Sequence, residues 1–237
     1  MRNILALIFS VLVATNIFAQ EVKETKKRVS AHLTANYTVN AAKKKEGAYI
    51  VKNEQDIVLV RGIYKDDKKV GNWFFYSDNG DLVQKYDYDN NKLTHFAVNP
   101  KSILKVNYEV YGANAVSKED VALPIKIGGD DYLFYLLFNE KKLPEDLKTV
   151  KGGVSLIYEF KIDAQGKLTE WLTHYKGDYY DRTEKNSIKS LPLDVYEFIP
   201  GRIKNEPKAG FISLETRIGI NDLKLRPAYN DIPKSAN

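Results

Sequence analysis

Apolar and polar residues alternate most strictly between positions 154 and 162. Val154, Leu156, Tyr158, Phe160 and Ile162 take one side, Ser155, Glu159 and Lys161 the other, and Ile157 alone interrupts the polar side. A period of two marks a strand with one buried face. Asp163-Ala164-Gln165-Gly166 follows as a four-residue turn with Gly where a positive φ is needed, so the chain is predicted to reverse and pair with residues 167–175. Leu168 and Trp171 fall on opposite faces of a regular strand, which predicts a bulge or an early loss of pairing. The alternation returns in Ile212, Leu214, Thr216, Ile218 and Ile220, with Phe211, Ser213, Glu215 and Arg217 opposite, and predicts a third strand.

Residues 130–139 break this rhythm. They are apolar nearly all round, follow Gly128-Gly129, and carry Asp130 and Asp131 in the first turn. That is the pattern of a short buried helix, whose N-terminus favours negative charge. A helix packed on a small antiparallel sheet is an α+β layout.

Upstream lies an internal repeat of about 24 residues with one slip. Gly47-Ala48-Tyr49-Ile50-Val51-Lys52, then Asp56-Ile57-Val58 and Tyr64-Lys65-Asp66-Asp67-Lys68, recurs as Gly71-Asn72-Trp73-Phe74-Phe75-Tyr76, then Asp81-Leu82-Val83 and Tyr88-Asp89-Asn90-Asn91-Lys92. Asp78-Asn79-Gly80 and Asp89-Asn90-Asn91 are turn chemistry between β-rich runs, so each copy reads as a hairpin and the pair as an antiparallel meander. Trp73 and Phe75 share one face of it, as a core or as an aromatic platform for a sugar or a peptide, and core is the commoner use of buried aromatics. Between the two parts, residues 103–110 read as a strand, and the small and polar stretch at 112–123 as a linker.

Two family resemblances attach to these residues. The succession Pro124-Ile125-Lys126-Ile127-Gly128-Gly129, the hairpin from Gly153 through Asp163 and Gly166-Lys167-Leu168, Pro200-Gly201, and the closing strand at 211–220 resembles the C-terminal domain of TonB, the periplasmic energy transducer. The motif Gly71, Trp73, Tyr76, Gly80 resembles a MORN-repeat variant of the YwqK type. The TonB resemblance covers about two fifths of the chain, residues 124–222. It implies an interaction domain that takes an extended partner peptide, such as the TonB box of an outer-membrane receptor, by β-strand addition, with backbone hydrogen bonds giving affinity. The candidate edge is then 211–220, with Phe211, Ser213, Glu215 and Arg217 as the partner-binding residues. The chain departs from the family between the hairpin and Pro200, where residues 181–190 are polar with Ile188 as the one strong apolar residue and leave room for a second helix of one or two turns. It departs again at Lys204-Asn205-Glu206-Pro207-Lys208-Ala209-Gly210, which replaces a shorter link.

The N-terminus sets the compartment expected. Arg2, the apolar run at 4–13 and Asn16-Ile17-Phe18-Ala19-Gln20 fit a secretory signal cleaved after Ala19. The run is short for a membrane span, so no stable transmembrane anchor is expected after cleavage. A periplasmic location follows, with the outer-membrane surface or the extracellular space as alternatives. The chain has no Cys, which excludes thiolate catalysis and Cys-type zinc sites. Its 36 Lys+Arg against 31 Asp+Glu leave a modest excess, concentrated in Lys23 to Arg28 and Lys43 to Lys45. No nucleic-acid motif is present, so no nucleic-acid partner is expected.

Catalytic chemistry finds little footing. His32, His95 and His174 lie on separate segments without ligand spacing. Asp87, Asp89 and Asn91 open like an EF-hand loop, but Lys92 and Val98 replace its Gly and closing Glu. Asp178 and Asp181 with Glu184, beside Tyr179 and Tyr180, offer an acid and base pair with sugar-stacking rings, though a solvated loop is the stronger reading. No catalytic, metal or cofactor residues are assigned. The expectation is thus an α+β chain: signal peptide 1–19, basic lead-in 20–46 with a strand, β-meander 47–111, linker 112–123, TonB C-terminal-like domain 124–222 and tail 223–237. Its expected role is binding an envelope or outer-membrane protein. A carbohydrate- or peptidoglycan-remodelling protein, or a self-associating structural envelope protein, are the alternatives.

Overall fold

A computed structural model describes residues 23–150, 152–189, 191–219 and 225–226. The expected signal segment, Ile220 and most of the expected tail lie outside the described residues. The first sheet has seven strands in strict sequence order: β1 (Lys23–Arg28), β2 (Thr34–Val39), β3 (Lys45–Lys52), β4 (Val58–Lys65), β5 (Lys68–Tyr76), β6 (Leu82–Asp87) and β7 (Lys92–Phe96). All neighbours are antiparallel. The repeat supplies the two central hairpins, β3–β4 and β5–β6. Asn53 folds the first turn by accepting from the Gln55 and Ile57 amides, and Gly80 takes φ 86° in the second.

One face of this meander is a stack of rings. Tyr49, Tyr64 and Tyr88 lie 5.6, 5.1 and 5.6 Å from the fully buried Trp73. Gly62 makes this packing possible: a Cβ there would lie 2.2 Å from the indole. Trp73 and Phe75 are core, and neither forms an exposed platform, because the rest of the chain closes over this face.

After β8 (Lys105–Val110), β9 (Val121–Ala122) and β10 (Ile125–Lys126) comes the helix α1 (Asp130–Leu137), the α-helix expected after Gly-Gly. Then follow β11 (Val154–Ile162), β12 (Leu168–Gly177), β13 (Tyr180–Asn186), β14 (Phe198–Ile199), β15 (Gly201–Ile203), β16 (Glu206–Lys208), β17 (Gly210–Ile218) and β18 (Leu225–Arg226). The second sheet runs β13-β12-β11-β17, with β18 and β8 both beyond β17. The expected β11–β12 hairpin forms, and Asp163 builds its turn by accepting from the Gln165 and Lys167 amides. The bulge is there too. Ile162 faces Leu168 and Phe160 faces Trp171, so the register slips by one residue and both apolar side chains reach the same face.

Three expectations change. Residues 180–186 form strand β13 where a second helix had room, because their amides pair along β12 and their charges tolerate an outer position. The strand at residues 105–110 joins the second sheet, not the meander. Most consequentially, β17 is not an edge. Gly210–Glu215 pair with β8, and Arg217–Ile218 with β18, so Phe211, Ser213, Glu215 and Arg217 lie in an interior strand whose backbone is already taken.

The two sheets share one contiguous core, which runs from Leu33 and Trp73 through Tyr132 and Phe134 to Phe160 and Leu214. Helix α1 is the wedge. Gly128 and Gly129 bring its start against Phe75 and Val83 of the first sheet, while Phe134 packs 5.6 Å from Tyr158 of the second.

Candidate functional site

Where the two sheets meet at the start of α1, a cleft of about 470 Å³ opens. One wall is the chain leaving β7, with Phe96 and Val98 exposed at 43% and 75%. The other is β8, through Leu104, Val106 and Tyr108. Gln84, Gly129, Asp130 and Asp131 form the floor. Gln84 fixes that floor from the first sheet: its Nε2 donates to Lys126 O at 2.8 Å and its Oε1 accepts from the Gly128 amide at 3.0 Å.

The two carboxylates on the floor have different fates. Asp131 is fully engaged, with Ser102 Oγ at 2.7 Å on Oδ1 and Asn99 Nδ2 and the Asp78 amide at 3.3 and 3.4 Å on Oδ2. It staples the loop after β7 to the helix. Asp130 receives the Tyr108 hydroxyl on Oδ2 at 2.8 Å, and its Oδ1 accepts no hydrogen bond among the described residues. Burial pushes the Asp130 carboxyl up to about 6; Tyr108 opposes this and Asp131 adds to it. Burial likewise raises Asp78, which also feels Asp131. A desolvated carboxylate in a cleft is a recurrent mark of a functional site.

Strand β8 gives the cleft a second property. The Tyr111 amide donates to Ala209 O at 2.9 Å, so in the β8–β17 register Glu109/Phe211, Asn107/Ser213 and Lys105/Glu215 are the hydrogen-bonded pairs. The backbone groups of Val106 and Tyr108 therefore point away from β17, on the outer side of β8, and both residues line the cleft. Among the described residues, β8 pairs with no strand on that side.

A second polar cluster lies behind α1. Lys69 Nζ is 2.6 Å from Asp194 Oδ1 and 2.7 Å from Glu197 Oε2. The Tyr88 hydroxyl donates to Glu197 at 2.7 Å, and the Tyr132 hydroxyl to Asp194 at 2.6 Å. Lys126 is buried beside them, donating to the carbonyls of Ile127, Asp194 and Glu197. Burial lowers its ammonium to about 8, against the pull of Glu197. Each of these side chains has a partner in the cluster, and the cluster ties the meander to the second half of the chain.

The candidate acid and base residues are not brought together into a site. Tyr179 is 95% exposed at the β12–β13 turn, and Arg182 pairs with Glu184 and Asp146. His32 lies between Glu54 and Glu140 at 3.1 and 3.0 Å, and His174 sits near Glu159 and Thr183 on the open face of the second sheet. Among the described residues, no group of three or more such side chains is placed to hold a metal, and no helix is long and apolar enough to cross a membrane. Sequence reasoning missed the cleft. Asp130 and Asp131 registered only as helix-start acids, and the residues meeting them from the loop after β7 and from β8 are about 20 to 30 positions away. No protein-family model, curated protein or solved structure matches the chain.

Proposed function

We propose that this chain is an exported envelope protein that binds a partner segment by strand addition, through a TonB C-terminal-like second half carried beside a MORN-variant-like meander. The observation that carries the reading is the outer side of β8, unpaired among the described residues, beside a preformed cleft. An extended peptide adding there finds the Val106 and Tyr108 backbone groups on one side and the apolar side chains of Phe96 and Val98 on the other. The docking strand is thus β8, next to the β17 that the family resemblance points to. The Gly-Gly helix start, the hairpin and the closing strand supporting that resemblance all surround the same sheet.

The expected setting is the periplasm, and the partner an envelope or outer-membrane protein. Intact-mass measurement of protein taken from its native envelope is expected to show loss of residues 1–19; recovery of the full-length chain in the inner membrane would instead mean a retained anchor and a transducer role. The binding itself is tested by a photo-reactive residue introduced at Val98 on the cleft rim and, separately, at Thr183 on β13. Cross-links to an envelope protein are expected from position 98 only. Cross-links from 183 alone would move docking to the opposite edge of the sheet.

The rival reading, a carbohydrate- or peptidoglycan-remodelling protein, draws on the same cleft because Asp130 is a desolvated acid. Asp131 is spent on three donors, which leaves no free second carboxylate beside it. Release of soluble fragments from purified peptidoglycan, abolished by Asp130→Asn, would establish this rival in place of binding.

A further inference from the structure

The floor of the cleft limits which segment can dock. Among the described residues its lining contains two carboxylates and no Lys, Arg or His, although the chain as a whole carries a net charge of +5. Asp131 is turned inward onto Ser102 and Asn99, whereas one oxygen of Asp130 has no protein partner among the described residues. The positive end of α1 offsets about half a charge of these two, and the Lys126 ammonium, which also acts on Asp130, is outside the cleft lining and donates to the carbonyls of Ile127, Asp194 and Glu197. The flanking walls, Phe96, Val98 and Val106, are apolar.

We infer that the cleft selects an extended partner segment bearing one Lys or Arg side chain between apolar neighbours, with the cation on Asp130 Oδ1 and the apolar side chains against Phe96, Val98 and Val106. The inference rests on the strand-addition reading of β8. The pattern follows from what the site leaves unsatisfied. A charge-assisted hydrogen bond to a carboxylate in a desolvated cleft is among the stronger single contacts available to a peptide. A neutral side chain at that point leaves Asp130 covered and unpaired, which penalises the wrong sequence. The long methylene stem of Lys or Arg also suits a passage between apolar walls to a polar floor.

The test uses fluorescein-labelled nonapeptides Val-Thr-Val-Thr-Xaa-Thr-Val-Thr-Val, whose Val residues share the face of Xaa, with Xaa as Lys, Gln or Glu, titrated with the protein at pH 7.5 and followed by fluorescence anisotropy. A second set carries N-methyl groups on alternate backbone amides, which removes strand pairing without altering the protein. The Lys peptide is expected to bind at least about tenfold more tightly than the Gln peptide, with the Glu peptide weakest. Asp130→Asn is expected to weaken the Lys peptide and to relieve the Gln peptide of its penalty, so that the two bind within about twofold of each other, with the circular dichroism spectrum unchanged. N-methylation is expected to weaken the Lys and Gln peptides alike. Equal affinity for Lys and Gln peptides, with N-methylation still harmful, overturns the cationic selection and keeps strand addition. A Lys preference that Asp130→Asn removes but N-methylation does not touch keeps the cationic site and overturns strand addition. Absence of saturation for every peptide up to about 1 mM overturns both.

Discussion

Asp194, which accepts from Tyr132 of α1, and Asp130, the first residue of that helix, both feel burial, and their chemistry runs in opposite directions. Burial alone would raise the Asp194 carboxyl, yet Lys69 at 2.6 Å, the Tyr132 hydroxyl and Lys126 hold it below the usual carboxylate range. Burial raises Asp130 to about 6, because one tyrosine hydroxyl does not replace the lost water and Asp131 repels it. The first belongs to a closed network and joins the two sheets. The second is incomplete and faces a cleft. Completeness of pairing, more than burial, separates a structural charge from one held ready for a ligand.

Breaking the closed network has the largest expected effect. Lys69→Met leaves Asp194 and Glu197 without their direct ion pair, with Lys126 and Lys45 as the remaining nearby cations, and the expected cost is about 3–5 kcal/mol in a urea unfolding curve. Lys69→Met combined with Asp194→Asn should recover part of that loss, since one of the stranded charges is then gone. The sign with pH follows from the lowered Asp194 carboxyl. Its contribution is present above the unfolded value near 3.8 and is lost as pH falls through the lower folded value. Equal stability of wild type and Lys69→Met at pH 7 would show that the network does not hold the sheets together.

The packing beneath Lys69 gives the next effect. The ammonium lies 4.9 Å from the Trp73 ring, and the indole occupies the space that a side chain at position 62 would need. Gly62→Ala should cost roughly 1–3 kcal/mol as an overpacked core and alter the near-ultraviolet circular dichroism of the stacked rings. An unchanged spectrum and melting curve would mean that the indole can shift freely, and that the junction depends on its ions alone.

The strands were far more legible in the sequence than either polar cluster. Period-two alternation gave β11 and β17, the Asp163-Gly166 turn gave their hairpin neighbour β12, and the repeat gave the centre of the meander, because each of these signals is local. The register slip near Leu168 was legible for the same reason: two apolar residues three apart cannot otherwise share a face. Strand β13 was not, since Tyr-Asp-Arg-Thr-Glu-Lys-Asn has no apolar alternation and is held by backbone pairing along β12. The strand at 105–110 was readable, but its partner at 210–215 was not, and that pairing is what covers β17. The cleft depends on three distant segments converging, so neither the Tyr108 contact nor the open oxygen of Asp130 leaves a mark on the spacing.

The smallest expected effect is also the sharpest test of the comparison, because it has the opposite sign. A carboxyl raised in the folded state to about 6 opposes folding wherever it is ionised in both states, and the penalty fades as pH falls from about 6 towards the unfolded value of 3.8. Asp130→Asn should therefore stabilise the protein at pH 7.5. A shift of about two units sets an upper limit of about 3 kcal/mol. Water in the cleft and the loss of a favourable charge at the start of α1 bring the expected gain to about 1–2 kcal/mol. The groups facing Asp130 are Tyr108 from β8, Asp131 on the helix and Lys126 from β10. Tyr108 does not ionise below neutral pH, since burial and Asp130 push its hydroxyl above the ordinary value, and Lys126 stays cationic there with its ammonium near 8. The gain measured by thermal melting should accordingly shrink by about half at pH 5. A loss of stability at pH 7.5 would instead place Asp130 with Asp194, as a charge the fold needs, and remove the reason for regarding the cleft as prepared for a cation.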